Sequence, residues 1–243
     1  MYLVADLGNT RIKLALFNQK GLHSIKKYDL ESNIESIEAY LIDLDSNTPC
    51  IVSSVLANSN QIEALLNEKF NVISLNAKTT LPIVNGYKTP ETLGDDRLAN
   101  AVGASALFPE KDVLVIDMGT CIKYDFISKN AEYLGGAISP GVQMRFNSLN
   151  QNTGRLPLVD PKNVVGVTGT NTEESIVSGV LNGIIFEIEG TINRYSSLYE
   201  SLTIVFTGGD HQRFVKQFKY RIFARPNLTL EGLYYILKIN EVK

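Results

Sequence analysis

The chain carries the same acid-tipped turn twice. Its opening apolar run ends in Asp6-Leu7-Gly8-Asn9-Thr10-Arg11-Ile12-Lys13, and Asp117-Met118-Gly119-Thr120-Cys121-Ile122-Lys123 repeats the pattern near mid-chain. Aligned on the aspartates, with Asn9 as a one-residue insertion, Thr10 meets Thr120, Ile12 meets Ile122 and Lys13 meets Lys123. Apolar runs lead in, Leu3-Val4-Ala5 before the first copy and Val113-Leu114-Val115-Ile116 before the second. Alternating runs lead out, through Ile12, Leu14 and Leu16 and through Ile122, Tyr124 and Phe126. Period-two alternation on either side of a Gly-Thr turn predicts two β-hairpins, each with an acid at its mouth. Over 243 residues the repeat favours two lobes, 1–110 and 111–243, each within the usual size of a domain.

A turn that receives phosphate must bring backbone N–H groups close to anionic oxygens. Glycine permits the approach because it lacks a Cβ, and successive N–H groups in such a turn form an anion-binding concavity. Threonine adds a hydroxyl donor. The aspartate repels phosphate, so its task is to hold a cation, or the water shell of Mg²⁺, that neutralises the phosphate oxygens. Two such hairpins facing one another would grip the phosphates of a nucleotide from both sides.

Composition narrows the field. The formal charge is −3 and the pI about 5.5, which argues against nucleic-acid or membrane-surface binding through bulk charge. No uninterrupted apolar run approaches the length of a membrane span. Asp6 interrupts the only stretch at the N-terminus that resembles a signal peptide. Cys50 and Cys121 are far apart, so a disulfide framework is not indicated and a cytoplasmic location is expected. Two histidines and two cysteines without ligand spacing argue against a zinc site.

Along the first half, strands are predicted at Tyr2–Leu7, Arg11–Phe17 and about 22–28. Ile34, Ile37 and Leu41 recur at helical spacing, Cys50–Val55 reads as a buried strand, Ile62, Leu65 and Leu66 mark a second helix, and Asn71–Leu75 a last strand. The β-β-β-α-β-α-β order predicts an α/β fold with a mixed sheet. A polar stretch from Asn76 to Leu93 is long for a plain connection. Asp95–Leu107 reads as a helix whose first turn carries Asp95 and Asp96, suited to the positive end of its dipole. The second half predicts strands at Val113–Asp117, Cys121–Ile127 and about 131–138, broken by Gly135-Gly136. Helices follow around Met144 and Leu149 and over Glu173–Tyr195. A strand at Leu202–Phe206 leads into a helix, a short strand near 221–223 follows, and a helix at Leu230–Ile239 closes the chain.

Further motifs fall at predicted strand ends or helix starts, where ligands of open α/β sheets collect. Gly94-Asp95-Asp96-Arg97 is the best catalytic candidate. Phosphoryl transfer to an alcohol needs a group that orients the hydroxyl and takes its proton, and an aspartate does this in many kinases. Arg97 offers a planar fork for a carboxylate or phosphoryl group. The bland alternative is a helix cap beside a surface ion pair. Thr207-Gly208-Gly209-Asp210 is either a tight connection or a place where backbone passes close to a ligand. Thr172 opens the long second-half helix and serves equally well as its N-cap, with Ser175 three residues on.

These residues together resemble the type III pantothenate kinases, members of the acetate and sugar kinase, Hsp70 and actin superfamily. The resemblance rests on Asp6-x-Gly8-Asn9-Thr10-x-x-Lys13, Gly94-x-Asp96-Arg97 and Asp117-x-Gly119-Thr120. It extends through Gly135-Gly136-x-Ile138-x-Pro140-Gly141, Thr153-x-Arg155-Leu156-Pro157, Asn171-Thr172 with Gly179, and Thr207-Gly208-Gly209-Asp210. It implies two ribonuclease-H-like (actin-like ATPase) lobes with mixed five-stranded sheets flanking a nucleotide cleft. It implies ATP-dependent phosphorylation of pantothenate, the first step toward coenzyme A, with Mg²⁺ accompanying ATP. Asp6, Leu7, Gly8, Asn9, Thr10, Arg11, Ile12 and Lys13 match the first phosphate loop, and Thr120 an ATP contact. Asp96 matches the general base. Tyr87, Gly94, Asp95, Asp96 and Arg97 match pantothenate contacts. Asp117 matches the ligand of a monovalent cation, K⁺ or NH₄⁺, and Thr172 a substrate contact delivered across a homodimer interface. The chain departs from many relatives at Cys121 and Lys123, where small residues or threonine follow the Gly-Thr turn, and it is on the short side for the family.

Two alternatives keep the fold and change the work. One is a kinase acting on another small acceptor. The other is a non-enzymatic transcriptional accessory protein, disfavoured because a scaffold has no physical need for acids at both hairpin mouths.

Overall fold

In the computed structural model, which describes residues 1–29, 34–54, 60–76, 79–160 and 166–241, both repeats fold as the hairpins their alternation requires. The chain forms two units. The first comprises Met1–Glu110, Ile127–Leu134 and Asn227–Lys243, and the second Lys111–Phe126 and Gly135–Pro226. A single cut after residue 110 therefore does not describe the lobes. The closing helix, assigned by sequence to the second lobe, packs in the first.

The first unit begins with an antiparallel meander, β1 (Tyr2–Leu7), β2 (Arg11–Asn18) and β3 (Gly21–Asp29). Helix α1 (Ile34–Ile42) leads to β4 (Cys50–Ser54), parallel to β1, and α2 (Asn60–Lys69) leads to β5 (Val72–Ser74), parallel to β4. The sheet order is β3-β2-β1-β4-β5. The strand predicted to reach Val55 is described only to Ser54. Val55, like Ala77 and Lys78 of the polar stretch, lies outside the described residues. Inside that stretch sits a strand the sequence does not announce, β6 (Val84–Asn85), parallel to Glu132 and Tyr133.

Side chains alternate across a strand, so β1 has two jobs. Leu3, Ala5 and Leu7 pack against Ile37 and Leu41 of α1 and Leu66 and Phe70 at the end of α2. The opposite face of β1 receives α7 (Leu228–Glu241), which lies against α3 (Asp95–Leu107). Phe17 sits across from Tyr2 in the ladder. Tyr234 of α7 stacks on Phe17 at 4.5 Å and meets Tyr2 edge-on at 5.4 Å. Its hydroxyl donates to the Asn18 carbonyl oxygen at 3.1 Å. α3 and α7 cross closely: a Cβ on Gly232 would stand 1.8 Å from the Ala99 carbonyl oxygen.

The second sheet repeats the plan of the first. Strands β7 (Asp112–Met118), β8 (Cys121–Ile127) and β9 (Glu132–Pro140) precede α4 (Val142–Gln151) and α5 (Thr172–Ser196). Then come β10 (Leu202–Thr207), the short α6 (His211–Phe214) and β11 (Ile222–Ala224). The sheet order is β11-β10-β7-β8-β9-β6. Read as β9-β8-β7-β10-β11 it reproduces the first sheet, and β6 makes it six-stranded rather than five-stranded. β9 also continues through Gly135-Gly136, where a break is predicted. A Cβ on Gly136 would stand 1.6 Å from the Tyr124 carbonyl oxygen, so glycine here lets two backbones approach rather than ending a strand.

The apolar stripe of α5, including Ile176, Val180, Ile184 and Ile188, packs with Leu114, Ile116, Phe146 and Phe206 in the second core. α5 is long and apolar enough to cross a membrane by length and composition alone, but most of its apolar residues lie in that core, with Phe186 exposed. Its cap is shifted by one from the predicted position. Asn171 is the N-cap, accepting from the Glu174 N–H at 2.9 Å, and Thr172 is the first helical residue. Counted from Asn171, the acidic third position of a capping box is present. Glu174 accepts from the Thr170 N–H at 2.8 Å.

Candidate active site

In the first hairpin the Gly8 N–H donates to the Arg11 carbonyl oxygen at 3.1 Å and closes the turn. Asp6 and Lys13 are direct partners in the ladder. The Lys13 ammonium donates to Asp6 Oδ2 at 2.9 Å, and Asp6 is only 5% exposed. Leu7 and Ile12 are core residues, so only their backbone is available to a ligand. Gly8 is half-buried, and Asn9 and Thr10 are exposed. Arg11 is exposed and pairs with Asp29 at 3.3 Å.

The Gly94 block shares the carboxyl end of this sheet. Ser54 ends β4 opposite Leu7, and its backbone N–H donates to the Asp95 carboxylate. Burial nevertheless pushes the Asp95 carboxyl up to about 6, with the neighbouring Asp96 adding to the shift. Asp96 is half-buried, and its Oδ1 accepts the Arg97 N–H at 2.8 Å. Arg97 is 4% exposed. Its guanidinium lies 5.5 Å from the Tyr87 ring centroid and 6.0 Å from that of Tyr133, and the two rings stack at 6.0 Å. Pairing of β6 with the start of β9 brings Tyr87 to Tyr133, aided by the Gly86 N–H donating to the Tyr133 carbonyl oxygen at 2.9 Å. Aromatic faces around a buried guanidinium attract its charge and hold its plane. Nothing in the sequence points to Tyr133, because the contact depends on a two-residue strand.

In the second hairpin the Gly119 N–H donates to the Cys121 carbonyl oxygen at 3.0 Å, matching the first turn. Lys123 Nζ stands 2.9 Å from Asp117 Oδ2, again matching the first. Thr120 is exposed, and its carbonyl oxygen accepts the Gly141 N–H at 3.1 Å. Thr207 lies beside Asp117 in the parallel ladder. Gly208 has φ +85°, and a Cβ there would stand 2.4 Å from the Met118 carbonyl oxygen and 2.5 Å from Asp117 Oδ1. The Asp210 N–H donates to that same Met118 oxygen at 2.9 Å. Thus Asp117–Thr120, Gly141 and Gly208–Asp210 come together within one unit. Burial raises the Asp210 carboxyl, and Arg213 opposes the shift.

Thr172 is exposed and lines a groove of about 960 Å³ in the second unit, with Met144, Arg145, Leu149, Thr170 and Ser175. Arg145 is committed to structure: it bridges to Glu187 at 2.6 Å and donates to Ser139 Oγ at 2.7 Å. Tyr124 donates to the same Glu187 carboxylate at 2.7 Å.

Among the described residues no three His, Cys, Asp or Glu side chains converge as a metal cage. Mg²⁺ carried by nucleotide phosphates needs at most one or two carboxylates and completes its octahedron with water, so it asks for no such cage. The second turn does not fit a monovalent cation at Asp117. Oδ2 there already receives the Lys123 ammonium, and Oδ1 faces Gly208.

A family model described as type III pantothenate kinase matches residues 2–194. A type III pantothenate kinase of Christiangramia forsetii is 43% identical over 243 residues, covering 100% of both chains. That of Bacteroides fragilis is 42% identical, covering 99% of this chain and 98% of the relative. End-to-end coverage shows that this length is ordinary among such relatives. A Campylobacter jejuni crystal structure, described as a Baf family transcriptional activator, superposes with a TM-score of 0.67 at 24% identity. It covers 99% of this chain and 100% of its own. The activator of 2-hydroxyisocaproyl-CoA dehydratase from Clostridium difficile, solved with bound ADPNP, gives 0.57 at 13% identity, covering 99% and 96%.

Proposed function

The chain belongs to the family of type III pantothenate kinases, and from that membership we propose that it transfers the γ-phosphoryl group of ATP to the primary hydroxyl of pantothenate. The products are 4′-phosphopantothenate and ADP, and the reaction is the first step of coenzyme A biosynthesis. The observation that carries the reading is the Gly94 block: a half-buried Asp96 beside the buried Arg97, at the same end of β1 and β4 as the first acid-tipped turn.

Residues 6–13 and Thr120 bind ATP, with the backbone N–H groups of the turns and the hydroxyls of Thr10 and Thr120 donating to phosphate oxygens. Mg²⁺ bound with ATP spreads the negative charge of the phosphoryl oxygens. Arg97, held by Tyr87 and Tyr133, receives the pantothenate carboxylate through its planar fork. Gly94 and Asp95 complete that side of the site. Asp96 orients the hydroxyl and accepts its proton as the new oxygen–phosphorus bond forms. The bond from the γ-phosphorus to the bridging oxygen breaks, and its electron pair leaves on ADP. Thr172 contacts substrate across a homodimer interface, and the enzyme works in the cytoplasm.

Coupled ADP release from purified protein with Mg²⁺ and ATP tests the reading. Release that depends on pantothenate is expected. A screen of other alcohols and carboxylic acids separates this assignment from a kinase with a different acceptor. ADP release driven by one of those and indifferent to pantothenate would overturn the substrate. Sedimentation at working concentration checks the homodimer, which a monomeric mass would refute.

A further inference from the structure

We propose that the Lys123 ammonium is a built-in monovalent cation, so that this enzyme needs neither K⁺ nor NH₄⁺. The proposal rests on the kinase reading above and concerns only the second hairpin. Lys123 Nζ stands 2.9 Å from Asp117 Oδ2, with side-chain exposures of 15% and 10%. The pair is therefore drier than its twin, where Lys13 is 34% exposed. An ammonium carries the same single charge as K⁺ or NH₄⁺. A charge pair taken out of water is strongly held and little screened by salt. Gly208 closes on the other carboxylate oxygen, with room for no Cβ. A second cation at Asp117 would have to share the carboxylate with an ammonium of like charge. The site thus has its neutralising charge tethered by the chain, aligned with Lys13 in the first repeat. Binding such a charge costs the protein no dependence on the salt around it. A fixed, preorganised charge beside the turn that receives phosphate also needs no reorganisation during the reaction.

The test compares initial rates with pantothenate and MgATP in K⁺-free sodium buffer, in K⁺ and in NH₄⁺. Wild type should run at the same rate in all three. A K⁺-free rate lower by on the order of 10²-fold, the scale of losing one preorganised group, would overturn the proposal. Lys123→Ala should lose on the order of 10²-fold in K⁺-free buffer and recover on adding K⁺ or NH₄⁺, which fill the vacated space. A second measurement does not depend on turnover. Tl⁺, used as the K⁺ probe, should give no anomalous peak beside Asp117 in wild-type crystals and a peak there in Lys123→Ala. A wild-type Tl⁺ peak at Asp117 would overturn the proposal even if the variant failed to fold. Absence of pantothenate-dependent turnover in every salt would instead count against the kinase reading, and the Tl⁺ experiment would still decide the role of Lys123.

Discussion

Asp95 and Asp96 are neighbours in sequence with different surroundings, and those surroundings separate their tasks. Asp96 is the proposed proton acceptor. Asp96→Asn should lower kcat by about 10²–10⁴-fold with an unchanged thermal melt, and near-normal turnover would remove the assignment. Asp95 is the acid whose carboxyl burial lifts from 3.8 to about 6. The folded chain therefore holds this proton more tightly than the unfolded chain does. As pH rises from about 4 to about 6 the unfolded state releases it first, so stability falls across that window and stays reduced above it. Asp95→Asn should accordingly raise Tm near neutral pH, with the gap closing toward pH 4. Melts across that range measure it, and equal Tm values at neutral pH would show that the carboxylate is not penalised. The lysines at 13 and 123 teach a related lesson. Their alignment is visible in the sequence, but that each closes on its own aspartate at 2.9 Å is a fact of geometry.

Elements show the same division between pattern and packing. The length and apolar spacing of α5 are plain in its sequence, because a helix buries one stripe every three or four residues. Its cap is displaced by one residue because Asn171 and Thr172 are both competent and only backbone geometry chooses between them. The α3–α7 crossing depends on a missing side chain. Gly232→Ala would push a methyl group into the Ala99 carbonyl and should cost about 1–3 kcal/mol by overpacking. Gly190, inside α5, has open space where its Cβ would be. Gly190→Ala should stabilise by up to about 1 kcal/mol, since glycine is a poor helix former. Urea unfolding of the two variants measures both, and shifts of the same sign would contradict the account of the crossing.

At the scale of the whole molecule the chain leaves its first unit after Glu110 and returns at Asn227. α7 then supplies Leu233, Tyr234, Ile236 and Leu237 to the first unit's interior. At about 1.5–3 kcal/mol for each fully buried large apolar side chain, their loss is comparable to the whole stability of a domain, about 5–15 kcal/mol. A chain ending at Pro226 should therefore lose hydrogen-exchange protection in β1 and β4, and full protection there would show α7 to be dispensable. Two related halves, the acid-tipped turns, the kinds of element and the Gly94 block are legible in the order of the residues. Each of these is written in short-range periodicity and turn chemistry that residues impose on their immediate neighbours. Where α7 belongs, the extension of the second sheet by Val84–Asn85, the meeting of Tyr133 and Tyr87 around Arg97 and the lysine on Asp117 emerge only once the chain is folded. Those are meetings between side chains chosen by burial, charge and available space, and such meetings leave no period in the order of the residues.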